Sequence, residues 1–215
     1  MDNKIRNGNL YTFLYAAAIV IVVAAILALT AQVLRPRQES NVRTETRLYI
    51  LRSAGLAGGA YTVKDRNSYV EKEYNRYIKD TAVGPDGLPL FVCTLEDGSK
   101  KYIIPLHGTG LWGPIWGYLA LDNDFETVYG AVFDHKSETP GLGAEISKEP
   151  FSEPFRGKSL YKEGEFVSVS VVKGGRAAGN PNAVDGISGG TITSRAVETM
   201  IRECVIKYIP FLKHE

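Results

Sequence analysis

A chain of 215 residues with a formal net charge of +1 has room for one medium-sized domain plus an anchor, and not for two full domains. Its Lys and Arg residues are scattered rather than striped, which argues against a phosphate-tracking surface and hence against a nucleic-acid partner. Cys93, Cys204, His107, His135 and His214 show neither Cys-x-x-Cys pairing nor ligand spacing, so no protein-bound metal or iron–sulfur cluster is expected.

From Leu10 to Leu34 no charged residue occurs, a run of about 25 residues and long enough to cross a hydrocarbon core with some tilt. Tyr11 and Tyr15 would sit near one interface, and Arg35 and Arg37 mark the other end. The rival is a cleaved signal peptide with Ala28-Leu29-Thr30 as a weak cleavage site, but the apolar run exceeds a usual signal core, which favours an uncleaved span. Lys4 and Arg6 precede the span while Arg35, Arg37, Arg43 and Arg47 follow it. Read mechanically, that balance puts the large domain in the cytoplasm, although long domains translocate regardless of charge.

Pro36 separates the span from a polar segment. The polar stretch Glu39 to Arg52 fits a helical face only loosely, Gly55 to Gly59 reads as a break, and Tyr69 to Ile78 as a mainly polar helix. Gly84-Pro85-Asp86-Gly87 is a turn cluster. Strand character follows: Leu90 to Leu95 and Lys101 to Leu106 flank Asp97-Gly98, and Ile115 to Leu121 and Thr127 to Phe133 flank Asp122-Asn123-Asp124, predicting two hairpins. Glu165 to Val172 alternates as one buried strand would. A last helix from about Ser194 carries Val197, Met200, Ile201, Cys204, Val205 and Tyr208 on one stripe. Cys204 on that stripe favours a core thiol over a Cys93–Cys204 disulfide. These elements predict an α+β domain, a mostly antiparallel sheet packed with helices and preceded by one transmembrane helix. The domain boundaries are drawn as 1–35 for the anchor, 36–90 for a helical linker and entry region, and 91–215 for the domain proper.

Three motifs carry chemistry. The small-residue loop Asp185-Gly186-Ile187-Ser188-Gly189-Gly190 runs into Thr191-Ile192-Thr193-Ser194 at the N-terminus of the last helix. Glycines there let backbone approach a ligand, and unpaired helix N–H groups favour an anion; the plainer alternative is a loop and a helix cap. Glu138-Thr139-Pro140-Gly141-Leu142-Gly143 suits a rigid loop, and Pro105 to Gly113 brings Trp112 into a glycine-rich run, with Trp116 assigned to packing. No GxGxxG fingerprint opens a helix after a strand, so a Rossmann nicotinamide site is unsupported.

With these motifs and the opening Tyr11-Thr12-Phe13-Leu14-Tyr15-Ala16-Ala17-Ala18, the chain resembles the NqrC family of the sodium-translocating NADH:quinone oxidoreductases, most weakly over residues 55–90. In that family Asp-Gly-x-Ser-Gly-Ala-Thr carries FMN, joined through its phosphate to the threonine. The resemblance therefore implies covalent FMN on Thr191, with Gly190 standing where the family usually has alanine. It implies an electron-transfer subunit of a membrane complex, inactive alone, with NADH as ultimate donor, ubiquinone or menaquinone as acceptor and sodium as the transported ion. Implied partners are the other subunits, membrane lipid, and a flavin transferase that uses FAD and magnesium. Implied placement is a single pass through a bacterial inner membrane with the domain in the periplasm, which is preferred to the charge count.

Around that flavin, Asp185, Gly186, Ser188, Gly189, Gly190 and Ile192 form the phosphate end, with Asp185 read by the transferase rather than by phosphate. Thr193 and Ser194 cap the helix or donate to phosphate oxygens. Thr139, Pro140, Gly141, Leu142 and Gly143 approach the ring, with Leu142 covering a face and Trp112 as neighbour. Lys173 either places a cation near phosphate or flavin or is a solvated turn lysine. Glu138 is assigned a structural role, because an anion beside the ring disfavours its reduced anionic form. Two rivals remain: the RnfG component of the Rnf electron-transport complex, which shares the Glu138–Gly143 run, and a cofactor-free anchored binding or assembly module.

Overall fold

The computed structural model describes residues 9–83 and 87–212. Lys4, Arg6, His214 and most of the turn cluster Gly84-Pro85-Asp86-Gly87 lie outside the described residues. The chain divides into two units, Met1–Thr44 and Glu45–Glu215.

Helix α1 spans Asn9–Ser53, and its residues through Thr44 make up what is described of the first unit. By length and composition this helix is able to cross a membrane. It continues through Pro36 into the polar stretch beyond the span. Proline removes one helical N–H and crowds the carbonyl a turn earlier, but good helix formers flank it. Arg35 Nε also pairs with Glu39 Oε1 at 2.9 Å, one turn apart across the proline.

The second unit begins with the end of α1, Glu45–Ser53. A 3₁₀ turn (Gly58–Tyr61) and helix α2 (Arg66–Tyr77) follow, with Asp65 capping α2 by accepting the Ser68 N–H at 3.1 Å. Leu48, Leu51, Ala57, Ala60 and Val70 bury together among these three elements. Five strands then form an antiparallel sheet in sequential order: β1 (Ile78–Val83), β2 (Pro89–Thr94), β3 (Lys100–Thr109), β4 (Pro114–Leu121) and β5 (Val128–His135). Strand β1 follows α2 without a turn, so no breaker marks it, and the boundary drawn at 90/91 falls inside β2. The compact unit starts at Glu45.

Alternation along the strands sends side chains to two faces. On one face, Ile103, Ala120 and Cys93 pack with Ile50 of α1, Ala54 just beyond it and Tyr77 of α2. On the other, Ile104, Leu106, Ile115, Leu119 and Phe133 meet helix α3 (Thr191–Val205) through Val197, Met200, Ile201 and Val205. Phe133, Phe151 and Phe155 close this core edge-to-face, with ring centroids 5.0 to 5.7 Å apart. Cys93 and Cys204 lie in different cores and both are free thiols, so the alternative of a disulfide between them does not apply.

The stretch Glu165 to Val172 is not the single strand expected. Strand β7 (Glu165–Phe166) pairs with β6 (Tyr161–Lys162), whereas β8 (Ser170–Val172) runs parallel to β9 (Ala183–Asp185). Ser168 between them has φ 65°, and the N–H groups of Val167 and Ser168 both donate to the Leu160 carbonyl. That reversal redirects the chain toward α3.

Gly130 sits where α1 crosses β5: a Cβ there would lie 2.3 Å from the Ser53 carbonyl oxygen. Gly130→Ala is expected to destabilise the protein by about 1–3 kcal/mol, read as a lower urea midpoint with unchanged slope. Burial pushes the Cys93 thiol up to about 11, against the opposing charge of Lys101. Iodoacetamide at pH 8 should therefore leave Cys93 unmodified in the native protein and label it in urea; ready native labelling would contradict this burial.

Candidate functional site: a hydroxyl ringed by apolar side chains

Strand β9 ends at Asp185, whose exposed carboxylate accepts the N–H groups of Arg176 and Ala177 at 3.0 and 3.1 Å. Asp185 thus closes the 173–177 turn, a use its place in the motif does not reveal. The Gly186 N–H continues the pairing by donating to the Val172 carbonyl at 2.7 Å. The loop then folds back on the helix it precedes: Ile187 N–H donates to Ser194 Oγ at 3.0 Å, and Gly190 N–H to the Ile187 carbonyl at 3.1 Å. Gly189 takes φ 77°, a left-handed conformation that favours glycine.

Helix α3 therefore begins at Thr191, three residues before the expected start, with Gly190 as its N-cap and no side-chain cap. The first-turn N–H groups of Thr191, Ile192 and Thr193 have no carbonyl behind them within the helix. The expectation that Thr193 or Ser194 caps this end does not hold. Both hydroxyls turn inward: Ser194 Oγ holds Ile187, and Thr193 Oγ1 donates to Glu138 Oε2 at 2.6 Å. Each residue is 2% exposed, whereas the Thr191 side chain is exposed.

Glu138, 4% exposed, ties three segments together. Its Oε1 accepts the Trp112 N–H at 2.8 Å, while its own N–H donates to His135 Nδ1 at 3.2 Å. Two glycines leave the carboxylate its space. A Cβ on Gly110 would lie 2.6 Å from Oε1, and one on Gly143 would lie 2.4 Å from both Oε2 and Thr193 Oγ1. The 139–145 loop is self-braced. Leu142 and Ala144 N–H groups donate to the Thr139 carbonyl, and Gly141 N–H to Glu145 Oε1. The Lys148 ammonium, 2.8 Å from Glu145, holds that carboxyl below the ordinary carboxylate range.

These segments enclose a cleft of about 250 Å³. Thr139, Leu142 and Gly143 line one side, Gly189 to Thr193 another, and Leu111 and Trp112 a third, with Glu138 at the back. Its rim is apolar and outward-facing, Trp112 being 67% and Ile192 59% exposed, with Leu111 and Leu142 also exposed. A contiguous apolar rim around the exposed Thr139 and Thr191 side chains is built for a flat apolar ligand or a partner surface. Among the described residues no group of His, Cys, Asp and Glu is arranged to hold a metal.

The family model of the FMN-binding domain matches residues 110–206, from the hairpin tip that carries Trp112 to the end of α3. The NqrC protein of the Na(+)-translocating NADH-quinone reductase from Vibrio alginolyticus is 40% identical over 103 residues, 48% of this chain and 40% of that protein. The chain thus spans about two fifths of the length of the curated relatives it matches. The crystal structure of the corresponding protein from Parabacteroides distasonis is 42% identical, superposes with a TM-score of 0.74, and covers 85% of this chain and 98% of that one. The chain belongs to the NqrC family of Na(+)-translocating NADH-quinone reductases. NqrC from Shewanella oneidensis, 23% identical with a TM-score of 0.66 over 80% of this chain, shares the fold.

Against this family background, the structure brings Trp112, Thr139, Leu142, Gly143, Gly189, Gly190, Thr191, Ile192 and Thr193 to one cleft. Asp185, Gly186, Ser188 and Ser194 shape or abut the loop without lining it, and Pro140 and Gly141 lie outside it. Lys173 does not line the cleft either: it is exposed in the turn that Asp185 closes, its carbonyl accepting the Arg176 N–H. Leu111 joins the rim although no motif singles it out; its adjacency to Trp112 in a glycine-rich hairpin tip is the signal that points to it. A methyl on Gly190 would lie 3.0–3.1 Å from Ile187 and the Leu142 backbone, so here the cleft wall closes on the glycine itself. Asp185→Ala is expected to speed amide exchange at Arg176 and Ala177 by about tenfold while leaving α3 protected; unchanged exchange there would show that the carboxylate does not hold the turn.

Proposed function

We propose that this chain is the FMN-carrying electron-transfer subunit of a sodium-translocating NADH:quinone reductase, with FMN joined through its phosphate to Thr191 Oγ1. The observation that carries the reading is the exposed Thr191 side chain at the uncapped start of a 15-residue helix, inside an exposed apolar rim. The residues present fit the group. Gly189 and Gly190 line the cleft, the first turn of α3 offers N–H groups and the positive end of its dipole, and Leu142 and Trp112 offer apolar surface.

Attachment requires a separate transferase and FAD. Thr191 Oγ1 attacks the phosphorus of the FMN half, the bond to the second phosphate breaks, AMP leaves with the bonding pair, and the hydroxyl proton is released to water. Once bound, FMN supplies reversible electron uptake and release. The first-turn N–H groups of α3 would hold and orient its phosphate, and the 139–145 loop would shield one side. No side chain has to move a proton for this.

In this reading α1 is a single-pass anchor in a bacterial inner membrane, in contact with lipid, and the domain stands in the periplasm among the other subunits. NADH oxidation, quinone reduction and sodium movement belong to the assembled complex. The stretch Leu10 to Leu34 holds no charged residue and offers no evident sodium ligand.

Protein co-expressed with a flavin transferase should carry an FMN-sized mass on the peptide containing Thr191 and fluoresce under ultraviolet light in a denaturing gel. Thr191→Ala should lose both. An unmodified Thr191 under those conditions would overturn the redox reading and favour a cofactor-free anchored module.

A further inference from the structure

Four hydroxyls stand within seven residues, on Ser188, Thr191, Thr193 and Ser194, and an attaching enzyme that accepts an alcohol has to be given one of them. Thr193 is the closest competitor: it is the same residue type, two positions on, at the same helix end. The structure removes it by bonding, since its hydroxyl donates to Glu138 Oε2 at 2.6 Å beneath the surface. The geometry points to Glu138 as a positioning residue that directs flavin attachment to Thr191, by sequestering the Thr193 hydroxyl and pinning the Trp112 segment behind the acceptor. This inference rests on the proposed attachment to Thr191.

The chemistry of the carboxylate suits that task. Ionised, it is acceptor-only and takes two donors at once, here the Trp112 N–H and the Thr193 hydroxyl. Among the described residues it has no salt-bridge partner, so those donors and the positive end of α3 are what offset its burial. A merely space-filling residue would be apolar at less cost, since a buried carboxylate is expensive to desolvate. Gly110 and Gly143 are open on the carboxylate side, and any side chain there would collide with it. The backbone of Glu138 is itself fixed by His135 Nδ1. The transferred group follows the same balance as above whichever hydroxyl attacks: one O–P bond forms, the link to AMP breaks, and one proton leaves. Glu138 takes no part in that exchange and touches no reacting atom, so its effect is on which oxygen is presented and how rigidly.

The test uses the full-length protein, purified unflavinylated and incubated with a flavin transferase, FAD and magnesium. Loading is followed in time, and the adduct is assigned to Ser188, Thr191, Thr193 or Ser194 by peptide fragmentation. Wild type should load on Thr191 alone; no adduct there would overturn the function reading itself. Glu138→Ala should load Thr191 about tenfold more slowly or move part of the adduct to Thr193, in line with a buried hydrogen-bonding group left without its partner. Glu138→Gln should restore loading and site choice, because its amide oxygen can accept the Trp112 N–H while its NH₂ donates to Thr193 Oγ1. Thr193→Val, nearly isosteric, tests the same link should the alanine variant fail to fold, and it too should slow loading at an untouched Thr191. Folded Glu138→Ala that loads Thr191 alone at the wild-type rate would overturn the inference, as would wild-type loading by Thr193→Val.

Discussion

The site depends on how closely α3 can lie on β3. Gly108 permits it: a Cβ at that position would fall 2.9 Å from the Met200 side chain, so the helix settles onto the strand with its apolar stripe, Val197, Met200, Ile201 and Val205, fully buried. Cys204 locks the register, its Sγ accepting the His107 N–H and donating to the His107 carbonyl. With the axis of α3 held in that way, its N-terminus has one place to be, beside the loops that leave β3 and β5. The exposed Thr191 is a consequence of buried packing one to four turns away.

Glu138 converts that proximity into a defined cleft. It reaches from the end of β5 to α3 through Thr193 and to the β3–β4 tip through Trp112, so three segments distant in sequence share one carboxylate. Ser194 performs the same service for the acceptor loop by holding Ile187, and Asp185 for the turn ahead of it. The polar residues of the motif are therefore mostly spent on shaping the backbone. What is left facing outward at the helix start is the Thr191 side chain, uncapped helix N–H groups and apolar surface, which is the set of properties a tethered flavin with an anionic phosphate would use.

Much of the sheet is legible in the sequence, because its hairpins carry Asp97-Gly98 and Asp122-Asn123-Asp124 at their turns and its strands alternate between two buried faces. The stripe on α3 is equally plain, since a 3.6-residue period has few other causes. Other features escape for identifiable reasons. Strand β1 has no turn residue separating it from α2, α1 runs on through Pro36 into the polar stretch, and Ser168 breaks an apparently continuous strand with a left-handed conformation that serine rarely takes. At the site, composition marks the loop but not the direction of its side chains. Hydroxyls on Thr191, Thr193 and Ser194 look alike in sequence, and only tertiary contacts separate the exposed one from the two turned inward.

The central claim is that Thr191 is the point at which this domain carries its cofactor. It is tested most directly by a crystal structure of the protein after flavin transfer. The account predicts continuous density from Thr191 Oγ1 into a phosphate at the first turn of α3, with the flavin ring lying along Leu142 or Trp112 and with Thr193 still bonded to Glu138. A free Thr191 hydroxyl, with the flavin attached to another residue or bound elsewhere on the domain, would contradict it.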